Sequence, residues 1–572
     1  MQAPSLTCLD MNDQISAEEQ TIVEARERGT GATLKAFTRL SGPGWLQSAI
    51  TLGGGSLASA LYLGVLSGYR FLWLQIVAML LGIVMLSAIA YVTLSTGKRP
   101  FRAIRDHVNP VLAWGWILAV MLANLVWALP QFALGSAAVQ QNLVPSLEGT
   151  GGTIITCTLI LALATAAIFS YGSGARGVRI FEWLLRGMVG LVVVCFFGVV
   201  ATLALSEAGL PWGTIFSGLV PDLSYLSKPV DGFAEVLSGS AYSDWWSERI
   251  VKKQHDVMIA AAATAVGINM TFLLPYSMLR KGWNQNFRGL AVFDLLTGLL
   301  IPFALATSCV VIASASQFHA RYDVDLVTDP AVAATNDGYL KNLEDRLVAG
   351  DGELSVAPAL REELGDEAFL ARVTEAFEVL PEADLQLAGM LLTRDAFHLA
   401  DALEPLAGST VSQVVFGIGV LGMAISTVII LMLISGFTFC EMFGREASGW
   451  PFRIGALAAG IFGFFGPFIF QGNVKFWLAV PTSNFGMVLL PIAYWTFFIM
   501  MNSRSLLGDA LPRGRARLIW NTLMLLSAGV ATFACLATIE GREPAIREWA
   551  YKGLGSFLTL VAVVGVLRRR GT

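Results

Sequence analysis

Twelve apolar runs organise the chain, at residues 45–67, 71–95, 110–138, 152–171, 179–205, 257–279, 289–314, 411–437, 452–471, 476–501, 518–538 and 552–567. Each approaches the roughly 20 residues that a helix needs to cross a hydrocarbon core about 30 Å thick. They predict an all-α integral membrane protein with about 12 transmembrane helices. Residues 1–40 are polar, with Glu18-Glu19 and a basic stretch from Arg26 to Arg39, and contain no apolar stretch of signal-peptide type. They read as a partly disordered cytoplasmic tail. Residues 41–315 then carry spans one to seven, with an external insert at 207–255; 316–408 form a second, acidic extracellular insert; and 409–572 carry spans eight to twelve.

Composition strengthens this picture. With 55% hydrophobic residues, 14% charged residues and a mean hydropathy of +0.64, the chain could not fold as a water-soluble globule without large apolar exposure. The six cysteines are scattered and form no CxxC pair or zinc-type spacing, which argues against thiol chemistry or a disulfide framework. No phosphate loop, zinc motif or nucleophile with a base falls within the spans, so an enzyme is not expected, nor a cofactor. The expected partners are the lipid bilayer and a small solute or anion, with the coupling ion left open and no feature for nucleic acid.

Charge sets the orientation. Lys98, Arg99, Arg102 and Arg105, then Arg176 and Arg179, Arg280, Lys281 and Arg288, Arg445 and Arg453, and Arg504, Arg513, Arg515 and Arg517 all fall in even-to-odd connections. Arg568, Arg569 and Arg570 end the chain on the same side. The positive-inside rule therefore places both termini in the cytoplasm of a cell bounded by the plasma membrane, against the single opposing segment Arg249 to Lys253. The insert at 316–408 holds 19 acidic and 6 basic residues and includes helical periodicity from Asp384 to Leu399, which suggests a small acidic cap. In the other insert, Tyr242, Trp245 and Trp246 read as interfacial anchors.

Function is expected where an apolar span is interrupted, because non-helical backbone survives at membrane depth only where protein or a hydrated cavity satisfies it. Span one contains Gly53-Gly54-Gly55-Ser56, and each glycine costs a helix about 1 kcal/mol against alanine. Span six contains Gly267-Ile268-Asn269-Met270-Thr271-Phe272-Leu273-Leu274-Pro275-Tyr276. Breaks five helices apart match two inverted repeats around a midplane substrate site. The alternative is that the three glycines only permit a tight helix crossing.

Several stretches carry a resemblance to a known family. Gly42-Pro43-Gly44-Trp45-Leu46, Gly68-Tyr69-Arg70-Phe71-Leu72-Trp73, Thr96-Gly97-Lys98, Gly177-Val178-Arg179-Ile180-Phe181-Glu182 and Asn502-Ser503-Arg504-Ser505-Leu506-Leu507-Gly508 resemble, in that order, segments of the Nramp divalent-metal transporters. The resemblance covers nearly all of the chain outside the tail and the two inserts. It implies a LeuT-type inverted-repeat fold in which a bundle of helices one, two, six and seven rocks against a scaffold.

The departures bear on the cargo. The family ligates metal with Asp-Pro-Gly-Asn in helix one, and an ungapped reading puts Gly53, Gly54, Gly55 and Ser56 there. Its Met-Pro-His-Asn in helix six falls on Asn269, Met270, Thr271 and Phe272, so the thioether is displaced by one position and the last amide becomes an aromatic ring. Acidic residues of helix three correspond to Asn124 and Trp127, and histidines of helix six to Thr271 and Tyr276; the four histidines, His107, His255, His319 and His398, lie outside the spans. The usual proton relay is thus absent from the expected positions. A divalent cation wants charged oxygen ligands or retained water, whereas amides at the start of a half-helix favour an anion or a carboxylate.

These readings combine into a secondary transporter working by alternating access on a small anion such as bicarbonate. The alternatives are a divalent-cation carrier, for magnesium or manganese, with an altered site, and a non-transporting receptor on the same fold. The expected substrate-binding residues are Gly53, Gly54, Gly55, Ser56, Asn269, Met270, Thr271 and Phe272. Asn124, Trp127, Gln131, Tyr276 and Arg186 are cavity or coupling candidates. Asn484 and Asn521 could also line the cavity. Asp294 should pair locally with Arg288, and Ser426 and Thr427 should bond back to their own helix.

Overall fold

The computed structural model describes residues 8–171, 175–206, 209–350, 354–394, 416–469 and 477–571, with isolated positions between 398 and 414. Among the described residues all twelve apolar runs are helical, apart from the breaks described below. Ten segments among the described residues are long and apolar enough to cross a bilayer as they stand, and the split first span and the fifth complete the set.

Helix α1 consists of Pro43–Thr51 and Gly54–Ser67, α2 is Leu72–Thr96, α3 is Pro110–Ala137 and α4 is Thr150–Tyr171. Helix α5 is Ala175–Leu205, α6 consists of Ser243–Ala265 and Ile268–Arg280, and α7 runs through Arg288–Leu295, a π-helical turn and Ile301–Phe318. The rest are α8, Phe416–Met442; α9, Gly449–Phe464 with Gly466–Ile469; α10, Ala479–Met501; α11, Gly514–Glu540; and α12, Pro544–Gly571. The second half of α1 packs on α7 and on the first half of α6, while both halves of α6 lean on α2. Around that bundle, α8 packs against α3, α5 and α9. Helix α12 touches α3 and α11 and buries none of its most apolar window within the chain, as a lipid-facing helix would.

Both breaks are present but shifted from the expected residues. In α1 the non-helical pair is Leu52 (φ −83°, ψ 56°) and Gly53 (φ −109°, ψ −179°), and Gly54, Gly55 and Ser56 form the first turn of the second half. In α6 the pair is Val266 (φ −139°, ψ 105°) and Gly267 (φ −83°, ψ 161°), with Asn269, Met270 and Thr271 already helical. The break precedes the polar run: Val266 and Gly267 carry the extended backbone, and no side chain caps the second half.

Other expectations are corrected by packing. The tail is helical over Cys8–Glu27 and Thr30–Leu40. It is tied to the α6–α7 link by Glu19, which accepts from Asn284 (2.9 Å) and Asn286 (2.5 Å), and by Arg26 Nη2, which donates to Asn286 O (2.7 Å). Helix α6 starts at Ser243, so Arg249, Lys253 and Asp256 lie on a helix rather than in a loop. Trp246 is no interfacial anchor: it is fully buried and its Nε1 donates to Asp384 Oδ1 at 2.9 Å. Of the helix expected from Asp384 to Leu399, the structure shows Glu382–Met390, with 391–394 non-helical and 395–397 and 399 outside the described residues.

The insert after α7 folds as a helical cap around Tyr339, Leu343, Phe369, Val373 and Leu387, all essentially inaccessible. Arg346 and Asp384 form a buried pair at 2.6 Å, and Asp384 also accepts from Ser240, which fastens the cap to the α5–α6 insert and the start of α6. Such a pair is specific rather than strongly stabilising, yet removing one partner costs about 3–5 kcal/mol.

Candidate functional site

The two broken helices meet at a cavity of about 40 Å³. From α1 come Ile50, Thr51, Gly53, Gly55 and Ser56; from α6, Ala263, Thr264, Gly267, Asn269 and Met270. Helix α3 adds Trp127, Pro130 and Gln131, α8 adds Thr427, and α10 adds Thr482 and Ser483. Thr51 Oγ1 donates to Met270 Sδ at 3.3 Å across the two breaks. Gly54 N donates to Gln131 Oε1 at 3.0 Å, satisfying one orphan amide at the start of the second half-helix, and Ser56 Oγ closes back on Thr51 O. Ser59 and Thr264 hydroxyls, 3.0 Å apart, join the two helices beside the cavity.

Two wall groups stand without a protein hydrogen-bond partner although inaccessible: the Asn269 amide, on both Oδ1 and Nδ2, and Thr427 Oγ1. Buried polar groups are normally satisfied, so unpartnered ones facing a cavity mark where a ligand or water is held. Among the described residues the wall contains no ionisable side chain. Among the described residues no cluster of three or more His, Cys, Asp or Glu side chains could hold a metal ion.

The predicted residues divide accordingly. Gly53, Gly55, Ser56, Asn269, Met270, Trp127 and Gln131 are brought together. Gly54 contributes only its amide bond to Gln131. Thr271 is turned away, bonded to Ile268 O and to Trp116 Nε1 (2.9 Å). Phe272 packs on Trp116 (5.5 Å between centroids) and stacks on Tyr276 (4.1 Å, 12° between planes). It therefore shapes the helix below the cavity instead of limiting its space. Asn124 is fully buried outside the wall, and the Arg186 side chain lies outside the described residues. Met270, one residue beyond the family position, lines the cavity, the α6 break falling before it.

The accessory candidates also separate. Ser426 bonds back to Met423 O (3.0 Å) as expected, whereas Thr427 faces the cavity. Asn484 reaches Asp256 at 3.4 Å and Asn521 pairs with Asn502 at 2.8 Å. Asp294 does not pair with Arg288. Its carboxylate accepts from Ser41 Oγ, Gly42 N (3.0 Å) and Gly44 N (2.5 Å), holding the start of α1. A Cβ on Gly44 would collide with Asp294 O, which explains the glycine in Gly-Pro-Gly-Trp. Sequence reasoning missed Thr51, Thr264, Thr482 and Ser483, which look like ordinary small helix-contact residues; the i, i+4 spacing of Trp246, Ile250, Val257 and Ala261 could have revealed the extended α6.

On the side of the α2–α3 link lies a second cavity, of about 510 Å³, lined by Arg99, Tyr276, Arg280 and Glu441 among others. The Glu441 side chain, 2% exposed, lies 3.1 Å from Arg99 and 3.6 Å from Arg102, tying that link to α8. The Trp116–Phe272–Tyr276 stack runs along the second half of α6, which lines both cavities.

Comparison with known proteins places this arrangement. The chain is 28% identical over 195 residues to the divalent metal cation transporter MntH of Burkholderia ambifaria, and 26% identical over 203 residues to the metal transporter Nramp6.2 of Populus trichocarpa. Those alignments take in 34% and 35% of this chain and only 42% and 34% of the two relatives. A crystal structure of the Eremococcus coleocola manganese transporter, in complex with an aromatic bis-isothiourea compound, superposes with a TM-score of 0.60 at 12% identity, covering 94% of this chain and 96% of that one. At that identity the likeness establishes the LeuT-type fold. The family model described as natural resistance-associated macrophage protein-like matches residues 44–335 and 374–539. This chain, a multi-pass helical membrane protein, belongs to the Nramp family.

Proposed function

We propose that this chain moves a small ion across the plasma membrane by alternating access, with α1, α2, α6 and α7 rocking around the cavity at the two breaks, and that the ion is a divalent metal cation of the manganese or magnesium class. One observation carries the cargo reading. Thr51 Oγ1, Met270 Sδ and the unpartnered Asn269 amide converge on one cavity between two broken helices. The relatives named above are metal transporters. The first halves of α1 and α6 end at the cavity, and carbonyls at a helix C-terminus favour a cation. Without a carboxylate these donors hold a dication weakly, so it keeps part of its water shell. The lysine and arginine distribution supports cytoplasmic termini and an external cap.

A second reading, a small anion such as bicarbonate, is favoured by a separate observation: the wall has no negative side chain, and the second halves of both helices begin there, presenting N-termini. Proteoliposomes decide between them. The first reading expects saturable manganese or magnesium uptake that Asn269→Ala weakens. Uptake of labelled bicarbonate with no cation uptake would replace it by the second. Silence for every solute would refute transport and favour a receptor.

A further inference from the structure

A third cavity, of about 650 Å³, lies between the cap and the ends of α1 and α6. Tyr62, Val65 and Leu66 of α1 line it, about 9–15 Å along that helix from Ser56 at 1.5 Å per residue. Its charged groups are mostly of one sign: Arg249 and Lys253 from α6 and Lys341 from the cap, against Asp337. This is unexpected, because the cap as a whole carries 19 acids and 6 bases. Here a lysine of the cap meets two cations of α6.

The cations are unequally matched. Arg249 is engaged by Asp345, and Asp337 by Arg361 at 3.6 Å. Lys253 Nζ donates to Leu391 O at 3.0 Å, one neutral acceptor for a group with three donors. Among the described residues neither Lys253 nor Lys341 lies within 4.0 Å of a carboxylate, and Arg249 Nε is inaccessible and without a partner. Much of the remaining wall is apolar, including Leu391, Leu392 and Trp477. Lys253, set in a partly apolar wall with one neutral acceptor, is under-satisfied, and a charge-assisted hydrogen bond to an anion, with Lys341 alongside, would favour its charged form.

We propose that this cavity binds a small oxyanion of the bicarbonate, carboxylate or phosphate class, held by Lys253 and Lys341 with Arg249 alongside. The proposal does not depend on which ion crosses at the α1–α6 breaks, because occupancy is read without flux. The full-length protein in detergent is titrated with sodium bicarbonate, phosphate or acetate at constant ionic strength, balanced with chloride, and binding is followed by calorimetry and by the thermal midpoint. At least one oxyanion saturates. Lys253→Met and Lys341→Gln each weaken it about tenfold or more, the effect of losing one charge-assisted hydrogen bond, whereas Lys253→Arg retains it. The anion that binds most tightly names the source. Should Lys253→Met fail to fold, the exposed Lys341 decides alone. Absence of saturation, a response equal to that of chloride, or wild-type affinity in the folded lysine variants overturns the proposal.

Discussion

Replacing Gly53 by alanine tests the geometry of the α1 break directly. Gly53 has an extended backbone open to any residue, so the substitution carries no conformational penalty of its own. Its cost is steric: a Cβ there would overlap Thr427 Oγ1 and lie 3.1 Å from both Thr427 Cβ and Ile50 O. Gly55 differs, since its Cβ would meet Thr264 Cγ2 at 3.3 Å and Ser483 Oγ at 3.6 Å, within what a slight shift absorbs. Overpacking a tight site costs about 1–3 kcal/mol, so Gly53→Ala should lower the thermal midpoint and the uptake rate clearly more than Gly55→Ala. Thr427 Oγ1 has no protein partner to lose, so Thr427→Ala alone should change the thermal midpoint little, and combined with Gly53→Ala it should recover most of the lost stability as a coupling energy of about 1–3 kcal/mol. The four proteins of this cycle are compared in detergent by thermal unfolding and in proteoliposomes by initial rate. Equal effects of the two glycine substitutions, or a double variant no better than Gly53→Ala, would refute the placement of α8 against the break.

Three further outcomes follow from single contacts. Met270→Leu keeps the volume but removes the sulfur, so competition by cadmium and manganese should weaken more than that by magnesium in uptake assays; an equal loss would mean that the thioether is not a ligand. Asp384→Ala leaves Arg346 buried and unpaired at a cost of about 3–5 kcal/mol, and limited proteolysis should then cut within residues 316–408 while the membrane helices stay protected. His319, just beyond α7, donates from Nδ1 to Val65 O (3.1 Å), and burial, ahead of any other cause, holds its imidazole below the usual pKa. A depressed histidine contributes stability that is complete above the ordinary value near 6.5 and is lost as pH falls through the folded pKa. The thermal midpoint should therefore drop on acidification below about pH 6.5, less steeply in His319→Gln, and an unchanged pH slope in that variant would count against the assignment.

What the sequence determined by itself was the set of things governed by local composition. Runs of about 20 apolar residues must lie in lipid as helices, because unpaired backbone is too costly there. Three adjacent glycines weaken a helix wherever they occur, and a missing carboxylate is missing in any fold. The family resemblance, carried by ordered short motifs, pointed to the same architecture. Tertiary structure decided whatever depends on which residues converge. It moved each break to the residues just before the polar run, and so turned Met270 into the cavity and Thr271 and Phe272 away from it. It gave Asp294 to the backbone of Gly42 and Gly44 instead of Arg288, and brought Thr51, Thr264, Thr427, Thr482 and Ser483 to one wall from four helices. Gly53 to Ser56 announce a break but not its donors: a small hydroxyl reads alike at a helix contact and at a binding site, and only the angle at which two broken helices meet tells them apart.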